Sequence, residues 1–337
     1  MPSAPDAQTP AQALAAVLAG QSPDPASAAA WLSPADLAEV ALLMAAAGQL
    51  RRRYDGDEIE LCAIVNAKSG QCSEDCVFCA QSAHYAGPAQ TYPLLSAPEL
   101  AQRASRAGRD GARRFGLVTS GRGCPRGAEL DELCRAIELI REEGRVEPCA
   151  SLGLLAPPEA RRLADAGLTR YHHNLEAGPG FFPRVCTTHT LEERVATVHT
   201  AREAGLEICA GGIVGLGESP AERVELAQAL AELDPESVPL NFLNPIPGTP
   251  LAGVPLLTPL EALATLAVFK LFLPRARLRT CGGRRQVLGR LAPLMYLAGA
   301  GATMTGDYLT TGGAPPAEDL ADLAALGLRT AAAPQGA

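Results

Sequence analysis

The chain has 337 residues, 47% of them hydrophobic and 20% charged, and a formal net charge of −8. This composition supports a full core and argues against wholesale disorder. The acidic balance argues against a nucleic-acid binder, which needs a basic face to neutralise phosphates.

The N-terminal stretch MPSAPDAQTP has neither the basic segment nor the apolar run of a secretory signal. Residues 1–25 are rich in Ala, Pro, Ser and Gln, which predicts a disordered tail with about one helical turn. A single barrel domain with an N-terminal helical extension is expected over 26–330, and 331–337 reads as a disordered, solvated end. From residue 58 short apolar runs alternate with stretches of helical spacing. Strands are predicted over 58–66, 114–120, 146–153, 168–174, 206–215, 237–243, 275–281 and 301–306. Helices are predicted over 98–108, 129–144, 158–167, 191–205 and 220–233. Several of these helices close on a glycine just before the next strand, as a helix C-cap does. The alternation predicts an α/β fold, a parallel (β/α)8 TIM-type barrel, with its chemistry at the C-terminal ends of the strands.

The longest charge-free apolar stretch, Leu291 to Gly306, has 16 residues and is interrupted by Pro293. It is too short and too broken to span a bilayer, so no membrane association is expected. The chain's ten cysteines, without an export signal, read as thiols for metal or catalysis rather than disulfides. The expected compartment is the cytoplasm.

Cys72, Cys76 and Cys79 have C-x3-C-x2-C spacing in a loop after the first predicted strand. Thiolates at that spacing can each hold one iron of a 4Fe–4S cluster and leave the fourth iron open. Zinc needs a fourth ligand, for which His84 is the only local candidate, at a spacing that matches no common finger. Structural thiols in a core are the plainest alternative.

With Phe78 in the aromatic position, C-x3-C-x-aromatic-C resembles the signature of the radical S-adenosylmethionine (SAM) enzymes. The resemblance implies a 4Fe–4S cluster whose open iron SAM chelates, and an electron that splits SAM to methionine and a 5′-deoxyadenosyl radical. The stretches NAKSGQCSEDCVFCAQS, RYHHNLE, ICAGGIVGLGES, ESVPLNFLNPIPGTPL and DYLTTGG together resemble the biotin synthase family. This resemblance, running from about residue 55 to residue 330, implies insertion of sulfur between C6 and C9 of dethiobiotin. It also implies an auxiliary iron–sulfur cluster as sulfur donor, a flavodoxin- or ferredoxin-like electron donor, and a homodimer.

The family's usual auxiliary site holds a 2Fe–2S cluster on three cysteines and an arginine. By resemblance, two of the cysteines fall on Cys149 and Cys209 and the arginine on Arg279. The remaining cysteine should follow Arg-Phe in the second strand, where this chain has Gly116. Cys281 lies two residues after Arg279, and strand side chains alternate, so both point to one face. Cys149, Cys209 and Cys281 fall in predicted strands three, five and seven, and alternate strands of a barrel supply one interior layer. The pattern favours a 4Fe auxiliary cluster over 2Fe–2S, and resembles the second type of biotin synthase, whose auxiliary cluster carries an extra sulfide. Cys62, Cys124, Cys134 and Cys186 show no such constellation and read as core or surface thiols, Cys124 standing where it could approach the barrel mouth.

The resemblance assigns SAM contacts to Phe78, Asn174, Glu176 and Arg194, whose guanidinium suits a planar carboxylate. Gly211 and Gly212 are expected to let backbone approach SAM. Substrate contacts fall on His172, Asn174, Asn241, Thr310 and Thr311. His172 stands where the family often has asparagine, and its ring can donate one hydrogen bond to a ureido oxygen. Two other readings compete. A maturase- or mutase-type radical SAM enzyme accounts for Gly116 but has no need of PLNFLNPIPGTPL and YLTTGG. A metal or redox sensor has no need of Arg194 or Glu176.

Overall fold

In the computed structural model, which describes residues 7–33 and 36–331, three helices precede the first strand. They are α1 (Pro10–Leu18), α2 (Pro25–Trp31) and α3 (Leu37–Asp55). Helix α1 corrects the expected tail. A nine-residue helix is marginal alone, but here Gln12 N donates to Thr9 Oγ1 while Thr9 N donates to Gln12 Oε1 at 2.8 Å, a capping box. Ala13 and Val17, one turn apart, are buried where α1 packs on α3. The expectations of disorder at 1–6 and 332–337 lie outside the described residues.

Eight staves close into a parallel barrel. They are β1 (Glu58–Lys68), β2 (Arg114–Thr119), β3 (Glu147–Ser151), β4 (Arg170–His172), the pair β5 (Glu207–Cys209) and β6 (Gly212–Val214), β7 (Ser237–Phe242), β8 (Arg277–Thr280) and β9 (Ala300–Met304). β9 pairs back onto β1, and a short β10 (Arg329–Thr330) pairs with the start of β1. The outer helices are α4 (Ala97–Arg109), α5 (Ala128–Glu143), α6 (Pro157–Asp165), α7 (Leu191–Glu203), α8 (Pro220–Leu233) and α9 (Pro259–Phe272). Two short helices, α10 (Arg284–Leu288) and α11 (Leu294–Leu297), lie between β8 and β9, and α12 (Pro316–Ala325) precedes β10. Each predicted strand and helix has its counterpart. Helix α9 had no sequence counterpart because it is buried on every side from Ala262 to Phe272, so it carries no polar stripe. Among the described residues no helix is long and apolar enough to cross a membrane.

The strand expected over 206–215 is broken. Gly211 N donates to Asn174 Oδ1 at 3.1 Å, and Gly211 O accepts from Leu175 N at 2.8 Å. Both backbone groups are thereby drawn to the end of β4, and the stave splits into β5 and β6.

The barrel floor is ionic. Glu60, 2% exposed, accepts from Arg279 Nη2 at 2.7 Å, Arg114 Nε at 3.1 Å and Arg170 Nη1 at 3.2 Å. Burial alone would raise its pKa, but these guanidiniums, with Arg277, hold it well below the carboxylate range. A depressed carboxylate contributes stability that is complete above its unfolded pKa and is lost as pH falls through the folded value. Glu60→Gln leaves three buried cations without their shared anion and should cost roughly 3–5 kcal/mol at pH 7. The gap between wild type and variant in urea unfolding should narrow as pH is lowered below about 4.5; a gap unchanged from pH 7 to pH 4 would contradict the assignment.

Candidate active site

A cavity of about 390 Å³ occupies the barrel interior and opens at the C-terminal ends of the staves. Its rim is the loop after β1, where Cys72, Cys76 and Cys79 all line the cavity. The loop is pinned by one side chain: Gln81 Oε1 accepts from Asn66 Nδ2 (3.2 Å), Ser69 Oγ (3.1 Å) and Gly70 N (3.2 Å). Cys72 N donates to Gln81 O at 3.0 Å and Cys79 N to Cys76 O at 2.9 Å, so the motif thiols are anchored through their own backbone.

Thiolates on a single zinc at 2.3 Å sit at most about 4.6 Å apart. Among the described residues the one group of three or more possible ligands within 4.8 Å of one another is Cys76, Cys186 and His189, so the three motif thiols are spread wider than one ion. His189 has no free nitrogen for a metal. Its Nε2 accepts from Arg194 Nε at 2.9 Å, and its Nδ1 meets Glu74 Oε2 at 2.5 Å. Arginine can only donate, so the proton of His189 is on Nδ1 and points to Glu74. The motif thiols therefore fit a 4Fe cluster, held by Cys72, Cys76 and Cys79, better than zinc. Cys186, expected to be a core or surface thiol, is buried beside Cys76. Its Sγ is 3.1 Å from Asp75 Oδ1, and a hydrogen bond from Cys76 is the chief reason its pKa falls to about 6.

Arg194 is buried and also donates to Asn174 O at 2.9 Å, with Glu176 Oε1 3.7 Å away. Asn174 Nδ2 donates to Glu176 Oε2 at 3.3 Å. Asn174, Glu176, Arg194 and Phe78 thus share the cavity wall next to the cysteine loop. Glu74 completes a relay, Glu74–His189–Arg194, that sequence reading missed because Glu74 lies 115 positions from His189 and Arg194 is on α7. Gly211 and Gly212, expected to let backbone approach SAM, are not among the residues that line the cavity. A Cβ on Gly211 would lie 1.9 Å from Pro239 O, and one on Gly212 would lie 2.7 Å from Glu176 O. These glycines let staves approach each other.

Deeper in the same cavity stand Cys149, Cys209, Cys281 and Arg279. Arg279 Nη1 donates to Cys209 Sγ at 3.5 Å. Burial opposes ionisation of Cys209, but Arg279, His172 and Arg170 outweigh it and bring its pKa to about 6. Cys281, also buried, is pushed up to about 12 although Arg279 pulls the other way. Arg279 Nε is buried without a partner, a donor that a cluster sulfide would satisfy. The donor set fits an iron–sulfur cluster. Cys62, set aside in the sequence reading, lines this cavity too, whereas Cys124 is packed in the hydrophobic core away from it.

His172 lines the cavity, and its Nδ1 lies 3.3 Å from Cys209 Sγ. Asn241 lines the cavity with its Oδ1 accepting from Gly282 N at 2.9 Å. Thr310 and Thr311 lie on the cavity wall after β9, Thr310 exposed and Thr311 partly so. A Cβ on Gly116, also on the wall, would meet Ile64 Cγ2 at 3.1 Å.

A three-thiol loop and a buried arginine at the C-terminal mouth of a parallel barrel define a radical SAM enzyme. The Radical SAM superfamily description matches residues 68–230, and the Biotin and Thiamin Synthesis associated domain matches 239–329. The biotin synthase of Geobacter sulfurreducens is 52% identical over 85% of this chain and 87% of its own length. That of Geobacter metallireducens is 50% identical over 82% and 84%. The chain belongs to the biotin synthase family. Among solved structures, methylornithine synthase superposes with a TM-score of 0.80 over 95% of this chain and 97% of its own. The FeFe-hydrogenase maturase HydG of Carboxydothermus hydrogenoformans does so with 0.78 over 95% and 78%. At 17% identity these two share the fold.

The role of Gly211 is testable. Gly211→Ala should destabilise by roughly 3 kcal/mol or more, read as a lower urea midpoint. An unchanged midpoint with SAM binding lost would return Gly211 to the ligand.

Proposed function

We propose that the chain converts dethiobiotin to biotin, with Cys72, Cys76 and Cys79 holding the SAM-binding 4Fe–4S cluster. The observation that carries this reading is one cavity lined at its rim by that cysteine loop and Arg194, and at depth by Cys149, Cys209 and Cys281 around Arg279. Bound there, the rim cluster would supply one electron to each of two SAM molecules; the two deoxyadenosyl radicals would take one hydrogen from C9 and one from C6 of dethiobiotin, leaving as 5′-deoxyadenosine, and the auxiliary irons would take up the two electrons freed as the two C–S bonds form. A flavodoxin- or ferredoxin-like protein delivers the electrons, and the cytoplasm supplies the reducing surroundings.

The chain's own residues hold the reactants. Arg194, fixed by Asn174 O and His189, presents its guanidinium to the SAM carboxylate. Glu176 and Asn174 take the ribose hydroxyls. Asn241 and the loop hydroxyls of Thr310 and Thr311 orient the substrate's ureido ring and carboxylate. His172, bonded to Cys209, links the substrate side to the deep thiols. The enclosed walls exclude water from a carbon radical. The deep thiols hold an auxiliary cluster of 4Fe type as sulfur donor, with Arg279 alongside.

Incubation of the anaerobically reconstituted protein with SAM, dithionite and dethiobiotin should give biotin and 5′-deoxyadenosine by mass spectrometry. Deoxyadenosine without biotin, at a rate indifferent to dethiobiotin, would point to another substrate. The Cys72→Ala, Cys76→Ala, Cys79→Ala triple variant should retain about four irons per chain; two would indicate a 2Fe–2S site. Glu74→Gln, which weakens the hold on Arg194 through His189, should bind SAM about tenfold more weakly at unchanged iron content. Equal affinity in a spectroscopic titration would remove the relay from SAM binding.

A further inference from the structure

Cys62 sits on β1, 3% exposed, and the barrel's own stagger shows what it faces. In an eight-stave barrel with a shear of eight, the level position shifts by about one residue per stave, so alternate staves differ by about two. The hydrogen-bonded partner of Cys62 on β2 is Arg114, and that of Arg114 on β3 is Glu147; two further on is Cys149. From Cys149 the partners run to Arg170 and Glu207, and two further on is Cys209. From Cys209 they run to Ser237 and Arg277, and two further on is Arg279. From Arg279 they run to Ala302 and Glu60, and two further on is Cys62 again. The circuit closes: Cys62, Cys149, Cys209 and Arg279 form one interior layer, one from each alternate stave. Cys281 stands two residues beyond Arg279, one layer nearer the mouth.

Contacts agree with the circuit. Cys62 Sγ and Arg279 Nη2 share Glu60 Oε1, at 3.5 Å and 2.7 Å, and Arg279 Nη1 reaches Cys209 Sγ at 3.5 Å. All four thiols line the cavity. Gly116 of β2, paired with Ile64 and Cys149, puts no side chain between Cys62 and Cys149. Both terminal nitrogens of Arg279 are occupied by Glu60 and Cys209, and guanidinium has no lone pair to give a metal while protonated.

We propose that Cys62 is a thiolate ligand of the auxiliary cluster, in one layer with Cys149 and Cys209, with Cys281 reaching in from the layer above and Arg279 serving as hydrogen-bond donor rather than ligand. Three thiols in a layer and one outside it are not coplanar, as the corners of a cubane require. The inference rests on the proposed auxiliary cluster, and takes the thiol missing at Gly116 to have moved to the neighbouring stave.

The test uses the full chain with Cys72, Cys76 and Cys79 changed to alanine, so that only the deep site holds iron. Cys62→Ala and Cys62→Ser are added separately, with Cys134→Ala, a thiol of α5 outside the cavity, as control. After anaerobic reconstitution, iron content should fall from about four to about three or fewer per chain in both Cys62 variants. Their Mössbauer spectra should change, while Cys134→Ala matches the parent. Thermal midpoints of the metal-free proteins, equal for the parent and Cys62→Ser, show that lost iron is not lost fold. Full iron and an unchanged spectrum in both Cys62 variants would overturn the assignment of Cys62 alone. A parent that binds no iron would overturn the auxiliary cluster itself, and Cys62 with it.

Discussion

A single buried carboxylate organises the inside of this barrel. Glu60 accepts from guanidiniums on β2, β4 and β8, and of the carboxylates around them it is the one sealed from solvent; Glu207 reaches water. Arg114 and Arg170 are also paired with Glu147 and Glu207, but Arg279 turns a terminal nitrogen to Cys209, and there the guanidiniums outweigh burial, as they do not at Cys62, Cys149 and Cys281. Cys209, touched by Arg279, shows the effect most directly. Deep thiols, arginine and floor therefore form one electrostatic unit, and its members come from strands distant in sequence.

The mouth repeats this logic at smaller scale. There a carboxylate, Glu74, sets a histidine tautomer, and the histidine holds Arg194. In both places the guanidinium is fixed before any ligand arrives, so little reorganisation is needed on binding. Both ends line one cavity, so on the proposed function a radical generated at the rim would be within reach of sulfur held at depth.

Much of the architecture was legible because strand and helix periods differ and the helices end on glycines. The rim loop was legible because its three thiols lie within eight consecutive residues. What escaped reading depended on geometry that spacing does not encode. Cys62 becomes part of a layer only once barrel stagger is known, and Cys186 meets Cys76 only when the loop after β4 folds across the cysteine loop. Gly211 and Gly212 look alike whether a glycine admits a ligand or a neighbouring backbone, and here it is backbone. Helix α1 was read as tail because alanine-rich text carries little amphipathic contrast, although its capping box was present in Thr9 and Gln12.

The crowding at Gly116 bears on how such a site changes over generations. A Cβ there would lie 3.1 Å from Ile64 Cγ2, so cysteine on β2 requires residue 64 to give way, while on the proposed ligand set giving up Cys62 first would leave the layer short of a thiol. No one substitution leads from one arrangement of thiols to the other. On the proposed ligand set the arrangement should be inherited as a block, and positions 62, 64 and 116 read together should sort members of the family into lineages more sharply than any one of them read alone.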